Sequence, residues 1–418
     1  MLKELCPKVF KSYLSLPLLG PVLNDYEDWL SENGYQRRTR KLHIRKTVGI
    51  NNFFQRKNLC SLKELTPEDM HGCWLWYHKH KPYAAGAVRV LQQYLEQKKL
   101  LSTHYPKVSN PFFSHLQAYA NYLSEVRGIQ SQTIHQHLFT SSQFLEYLMN
   151  KQETFQLSGI TRNEIENFVT ISGERLGRGT LQHVVSRLRC FLRFLQVSDK
   201  VPPDLDTQID TPRLYRMEKL PHALPWETVT TFLNSIDREN PIGLRDYTMF
   251  FLIASYGLRS SDIVALTLDD INWRKREILI SQRKTGYPLV LPLTDKVGAV
   301  LFQYLRVGRP HLPYRELFLR VRAPYGPLKH TAVPEAFQAW SRRSGLEIPF
   351  QGPHCLRHSY AIHLLRQGIS VKTIGDLLGH RVAESTCVYL RFAIEDLREV
   401  ALSLPRNCAL RPNQEVQL

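Results

Sequence analysis

Apolar residues in the first half of the chain recur at three- and four-residue spacing, the mark of helices with one buried face. Two segments say nearly the same thing. YEDWLSENGYQRRTRKLHIRKTVGINNFF begins at Tyr26 and YANYLSEVRGIQSQTIHQHLFTSSQFLEYL at Tyr119. Leu30, Ser31, Glu32, Gly34, Thr39 and Phe53 of the first match Leu123, Ser124, Glu125, Gly128, Thr133 and Tyr147 of the second. Further on, LTPEDMHGCW from Leu65 parallels ITRNEIENFV from Ile160, each a threonine N-cap before an acidic first turn. The period of roughly 93 to 95 residues is far longer than a solenoid unit, so the pattern predicts two helical domains of four or five helices each.

Two proline-bearing stretches separate the parts. STHYPKVSNPFF, residues 102–113, reads as a short linker. VPPDLDTQIDTPRLYRMEKLPHALP, residues 201–225, holds five prolines without helical periodicity and is expected to run extended between domains. Beyond it the pattern predicts helices over Trp226 to Ser235 and Leu244 to Tyr256. A hairpin in EILISQRKTGYPLVLPL follows, with Lys284, Thr285 and Gly286 at its tip. Helices return over Asp295 to Arg306, Val333 to Ser344, Cys355 to Gln367 and Val371 to Leu378, and an amphipathic helix is expected in RFAIEDLREVALSL from Arg391. The expected domains are therefore residues 1–101 and 111–200, all helical, a linker over 201–222, and a mainly helical domain with a small antiparallel sheet over 223–405, followed by a loose tail at 406–418.

Composition narrows the function. Lysine and arginine exceed aspartate and glutamate by 55 − 38 = 17 and the pI is near 9.6, an excess that suits a polyanion, above all nucleic acid. Seven scattered cysteines form no C-x-x-C pair and read as reduced thiols of a cytoplasmic protein. Cys60, His71 and Cys73 lack a fourth ligand at zinc spacing. The longest apolar stretch, from Met249, is about half a membrane span.

Candidate chemistry lies in the second half. In YGLRSSDIVALTLDDINW, Gly257 can end one helix and Ser260 can cap the next, which sets Arg259 in the turn with Asp262 placed to hold it from behind. In GPHCLRHSYAIHLLRQG, Pro353 fits a helix start, and His354 and Arg357 at i, i+3 can meet one anion. His358, four residues from His354, lacks the glutamate of an H-E-x-x-H metal motif and, beside Tyr360, Ile362 and Leu364, reads as a core histidine. In LLGHRVAESTCVYLRF, His380 and Tyr389 stand 389 − 380 = 9 residues apart, about 900° on one helix and hence on opposite faces. They meet only if the chain turns between them, which Gly379 and RVAEST permit.

GLRSSD, the hairpin lysine, HCLRH, LLGH and VYLR, in this order, resemble the tyrosine recombinase or phage integrase family, which includes lambda-type integrases, Xer recombinases and Cre. The resemblance spans residues 220 to 400 and extends to 111–200, which look like the family's helical, SAM-like core-binding domain. Residues 20–100 resemble a second copy of it. It implies a site-specific recombinase of a mobile element, located with the bacterial nucleoid, that breaks and rejoins DNA through a 3′-phosphotyrosyl intermediate without metal, cofactor or ATP. Arg259 and Arg357 would clamp the phosphate, His380 would donate to it, Tyr389 would attack, Lys284 would protonate the leaving oxygen, and His354 would assist proton transfer at the tyrosine. Asp262 stands where many members carry glutamate, and the basic residue usual after the hairpin turn is replaced by Tyr287 and Pro288. The implied partners are duplex DNA with inverted core sites, three further copies of the chain docked through the C-terminal helix, and companion recombinases. A catalytically silent DNA-binding partner and a type IB topoisomerase or hairpin resolvase are the alternatives.

Overall fold

The computed structural model describes residues 2–59, 61–101, 111–151, 155–215, 221–282, 288–380 and 382–392. Helices α1 (Leu23–Glu32), α2 (Arg37–Gln55), α3 (Pro67–His80) and α4 (Pro82–Gln97) form the first series. The second is α5 (Phe113–Asn121), α6 (Ser131–Met149), α7 (Arg162–Arg175) and α8 (Arg178–Val197). Two of the four helix pairs match in length. Helices α2 and α6 each hold 19 residues and α3 and α7 each hold 14. Each of the latter two starts in a capping box, Thr66 with Asp69 and Thr161 with Glu164, in which side chain and main chain exchange hydrogen bonds. Gly34 and Gly128, at φ +79° and +59°, turn the chain into α2 and α6 with left-handed residues that a side chain disfavours.

The chain divides into two units. One draws on Met1–Ser15, Pro21–Lys46 and Lys219–Leu418, the other on Leu16–Gly20 and Thr47–Glu218, so residues 1–101 contribute to both. In the second unit Tyr119, Phe144, Leu188 and Phe191 are fully buried in one apolar cluster. Leu205 and Ile209 join that cluster, and Arg193 donates to the Asp206 carboxylate at 2.8 Å. The start of the stretch expected to run extended is thus tied down, because its two aliphatic side chains bury against α8 rather than facing water.

In the first unit the centre is α10 (Pro241–Tyr256), preceded by α9 (Trp226–Asn234). Helix α10 begins three residues before the expected Leu244, because the Asn240 side chain accepts a hydrogen bond from the Gly243 amide at 2.7 Å and Pro241 occupies the first helical position. Phe232, Phe250, Phe318 and Phe337 are fully buried around it. Truncating such a phenylalanine to alanine costs about 3–5 kcal/mol. Helix α11 (Ser260–Ala265) leads to a three-stranded antiparallel sheet of β1 (Ile271–Asn272), β2 (Glu277–Ser281) and β3 (Pro288–Pro292). The register pairs Ile278 with Leu291 and Ile280 with Leu289, so the alternate side chains Ile278, Ile280 and Leu291 face the core while Leu279 and Val290 face out. Helices α12 (Asp295–Gln303), α13 (Ala332–Ser344), α14 (His354–Arg366), α15 (Val371–Leu378) and the short α16 (Glu384–Cys387) complete it. The hairpin tip with Lys284 and the helix expected beyond Phe392 lie outside the described residues. No helix among the described residues is long and apolar enough to cross a membrane.

Candidate active site

The site grows from two helix ends. Helix α10 closes on Gly257, left-handed at φ +65°, and a Cβ there would lie 2.4 Å from Leu378 Cδ2, so only glycine fits both the backbone and the space. Two residues on, Arg259 is the N-cap residue of α11. Ser260, expected as the cap, is instead the first helical residue. The Arg259 guanidinium donates to Gln282 Oε1 at 3.3 Å and stands 3.8 Å from the buried Asp262 carboxylate. Gln282 is itself buried, and a Cβ at Gly379 would meet its amide at 1.9 Å. The last described residue of the hairpin's first arm, two positions before Lys284, is thereby seated in the site.

Arg357, on the first turn of α14, is 3% exposed. Its guanidinium donates to the main-chain carbonyls of Gly257 and, at 2.8 Å, Leu378, the ends of α10 and α15. Burial, then the charge of Arg259, lowers its pKa to about 10, so it stays cationic at neutral pH. The same guanidinium lies 3.1 Å from His380 Nε2. Arginine can only donate, so Nε2 accepts and the His380 proton sits on Nδ1, which donates to Thr386 Oγ1 at 2.8 Å.

The turn required between His380 and Tyr389 is present. Helix α15 ends at Gly379, left-handed at φ +63°, and α16 passes into a 3₁₀ turn over Val388–Phe392. Tyr389 packs with Ala361, Ile362, Leu365, Ile374 and Leu378 and is 3% exposed, yet its hydroxyl lies 2.9 Å from His358 Nδ1. Burial raises the tyrosine's pKa, and Arg357 and Arg259 pull it down. Burial, reinforced by His354, Arg357, His222 and His380, lowers that of His358 to about 3, so its imidazole is neutral. His354 is exposed and packs edge-on against the His358 ring, 4.5 Å between centroids.

Arg259, His354, Arg357, His358, His380 and Tyr389 line one cleft of about 390 Å³. The structure therefore gathers every candidate residue it describes, with Asp262 behind Arg259, while Lys284 lies outside the described residues. His358, read from sequence as core, is the histidine that touches the tyrosine. The available signal was its place one turn beyond His354, which puts both rings on one helix face. Thr386 and Gln282 carried none, since their partners are distant in sequence or set by a turn.

A tyrosine hydroxyl beside a neutral imidazole, opening on a cleft with two guanidiniums, defines a site suited to attack on a phosphate diester. The model of the phage integrase family matches residues 224–395. Protein y4gC of Sinorhizobium fredii, an integrase/recombinase by name, is 42% identical over 188 residues, 44% of this chain and 97% of that one. Tyrosine recombinase XerD of Listeria innocua is 28% identical over 287 residues, covering 68% of this chain and 95% of its own. Among solved structures, XerH recombinase in a post-cleavage complex with its palindromic difH substrate shares the fold at TM-score 0.55 and 19% identity, over 68% of this chain and 83% of that one. The chain belongs to the phage integrase family. It is a tyrosine-type site-specific recombinase.

Proposed function

We propose that this recombinase cuts and rejoins duplex DNA of a mobile genetic element through a 3′-phosphotyrosyl bond to Tyr389. The observation that carries the reading is the buried Tyr389 hydroxyl, 2.9 Å from a neutral imidazole and facing a cleft with two arginines. In the first step the tyrosine oxygen bonds to phosphorus, the bond to the 5′ oxygen breaks, and Lys284 protonates that oxygen. The tyrosine proton passes to His358 Nδ1. Arg259 and Arg357 hold the non-bridging oxygens, and His380 adds a hydrogen bond once Nε2 carries a proton. His354, packed edge-on against the His358 ring, assists the transfer by holding that ring toward the tyrosine. Gln282, seated in the site two residues before Lys284, supports the lysine's role.

Magnitudes favour a concerted transfer. With the tyrosine's pKa raised by burial and the histidine's lowered to about 3, a free tyrosinate–imidazolium pair is strongly disfavoured. Proton loss accompanied by bond formation to phosphorus avoids that species, because the phosphate takes the oxygen's electron pair as it forms. Strand exchange then needs no external energy source, since the phosphotyrosyl ester keeps the diester bond energy. The helical repeats bind the duplex, two sites are held by a tetramer assembled through the C-terminal helix, and companion recombinases share the complex.

Nicked suicide substrates made from DNA flanking the gene test this. A covalent 3′ adduct on a denaturing gel with the native protein, and none with Tyr389→Phe, is the expected result. An adduct that survives Tyr389→Phe, or its absence despite tight binding by the native protein, overturns the assignment.

A further inference from the structure

The two helical series share the lengths of two helix pairs and one capping box but differ in charge on the same helix. Helix α2 and helix α6 align at one offset, 131 − 37 = 149 − 55 = 94. Helix α2 carries six lysines and arginines and no acidic residue, whereas α6 carries no lysine or arginine and one glutamate. Structure accounts for part of the excess. Arg40 pairs with the buried Glu27 at 2.6 Å, Arg37 donates to the Glu4 carbonyl, and Lys46 is half-buried. Arg38, Lys41 and Arg45 remain, all exposed, and none of them forms an ion pair among the described residues.

Their spacing, i, i+3 and i+7, lines them along one face over about 10 Å of helix. Like charges so placed repel and weaken the helix they sit on, while the opposite face, Thr47, Ile50 and Phe54, is buried and fixes which side is presented. At the equivalent positions α6 has Gln132, His135 and Phe139, also exposed. Glutamine and an imidazole offer directional hydrogen-bonding groups of the kind that read base edges, whereas the lysines and arginines that release counterions are absent from α6.

Resting on the reading of duplex DNA as substrate, we infer that α2 of the first repeat is a phosphate-binding strip. Arg38, Lys41 and Arg45 lie along the DNA backbone and supply sequence-independent affinity, which α6 of the second repeat, without cations, does not supply.

The test compares the full-length native protein with Arg38→Gln/Lys41→Gln/Arg45→Gln and the charge-keeping Arg38→Lys/Lys41→Arg/Arg45→Lys. Binding to a duplex of arbitrary sequence, and to the flanking DNA, is followed across salt concentrations. Losing three phosphate contacts lowers the slope of log K against log salt by about 2.7 for the glutamine variant on both duplexes. Preference for the flanking DNA stays at the native level, and the charge-keeping variant behaves as native. The inference fails if the native protein binds DNA and forms adduct but the glutamine variant keeps the native slope with an unchanged melting curve, or if it loses preference rather than slope. Binding of the native strip to phosphatidylserine vesicles in preference to either duplex also overturns it. A native protein that binds DNA without any adduct refutes the catalytic reading instead and leaves the slope comparison decisive for the strip.

Discussion

Replacing His358 with leucine removes the acceptor 2.9 Å from the Tyr389 hydroxyl and fills its half-buried space with apolar atoms. The proton must then leave to water before attack. Burial raises the tyrosine's pKa, so tyrosinate is a small minority at pH 7. Loss of the acceptor should therefore slow the cleavage step by about 10²–10⁴-fold, or ~3–5 kcal/mol, the range of general-base effects. Single-turnover cleavage of a suicide substrate, with protein in excess so that binding is complete, reads this step alone. The shape of the pH profile is as diagnostic as the size of the loss. In the native protein His358 is held near 3, so it stays competent as a base throughout the neutral range and contributes no loss of rate near pH 6.5. In the leucine variant the rate rises tenfold per pH unit toward the tyrosine's own pKa. A variant within tenfold of native with a flat profile would refute His358 as the acceptor. If His354→Leu gives the steep profile and His358→Leu does not, the exposed histidine is the base.

Two further outcomes concern stability. Gly257→Ala forces a side chain onto a left-handed residue and into Leu378, so thermal unfolding should show a loss of at least ~1–2 kcal/mol. Because Arg357 bonds to the same residue's carbonyl, cleavage by the surviving folded protein should fall as well. Second, His358 has its folded pKa depressed to about 3 from an ordinary 6.5, so between these values the unfolded chain binds more protons than the folded one. Stability on this account is full above pH 6.5 and declines as pH falls through the window toward 3. Denaturant midpoints at pH 7 and 5 should therefore differ in the native protein, and by less in His358→Leu.

The features legible in the sequence are those fixed by neighbours along the chain. Gly257 before Arg259, the threonine caps of α3 and α7, and the alternation of Ile278 and Ile280 each follow from a few adjacent residues. The convergence of His380 and Tyr389 was half legible, for geometry ruled out one continuous helix and Gly379 offered the break. The contact of His358 with the phenol is not legible because it lies 31 residues away, and aliphatic neighbours look the same whether a histidine is inert or placed against a phenol. The packing of Leu205 and Ile209 was masked by prolines, which report a break in helix but not whether the chain beyond it is buried.

Arg357 is anchored by the main-chain carbonyls of Gly257 and Leu378, not by a carboxylate. A main-chain acceptor cannot be deleted by mutation as long as the helix end persists. Although the Leu378 side chain is itself buried with Tyr389, the acceptor is its main chain, so no acidic side chain neutralises the guanidinium and its full charge remains for the incoming anion. The aim of this cation is thus set by where two helices stop rather than by any acidic side chain.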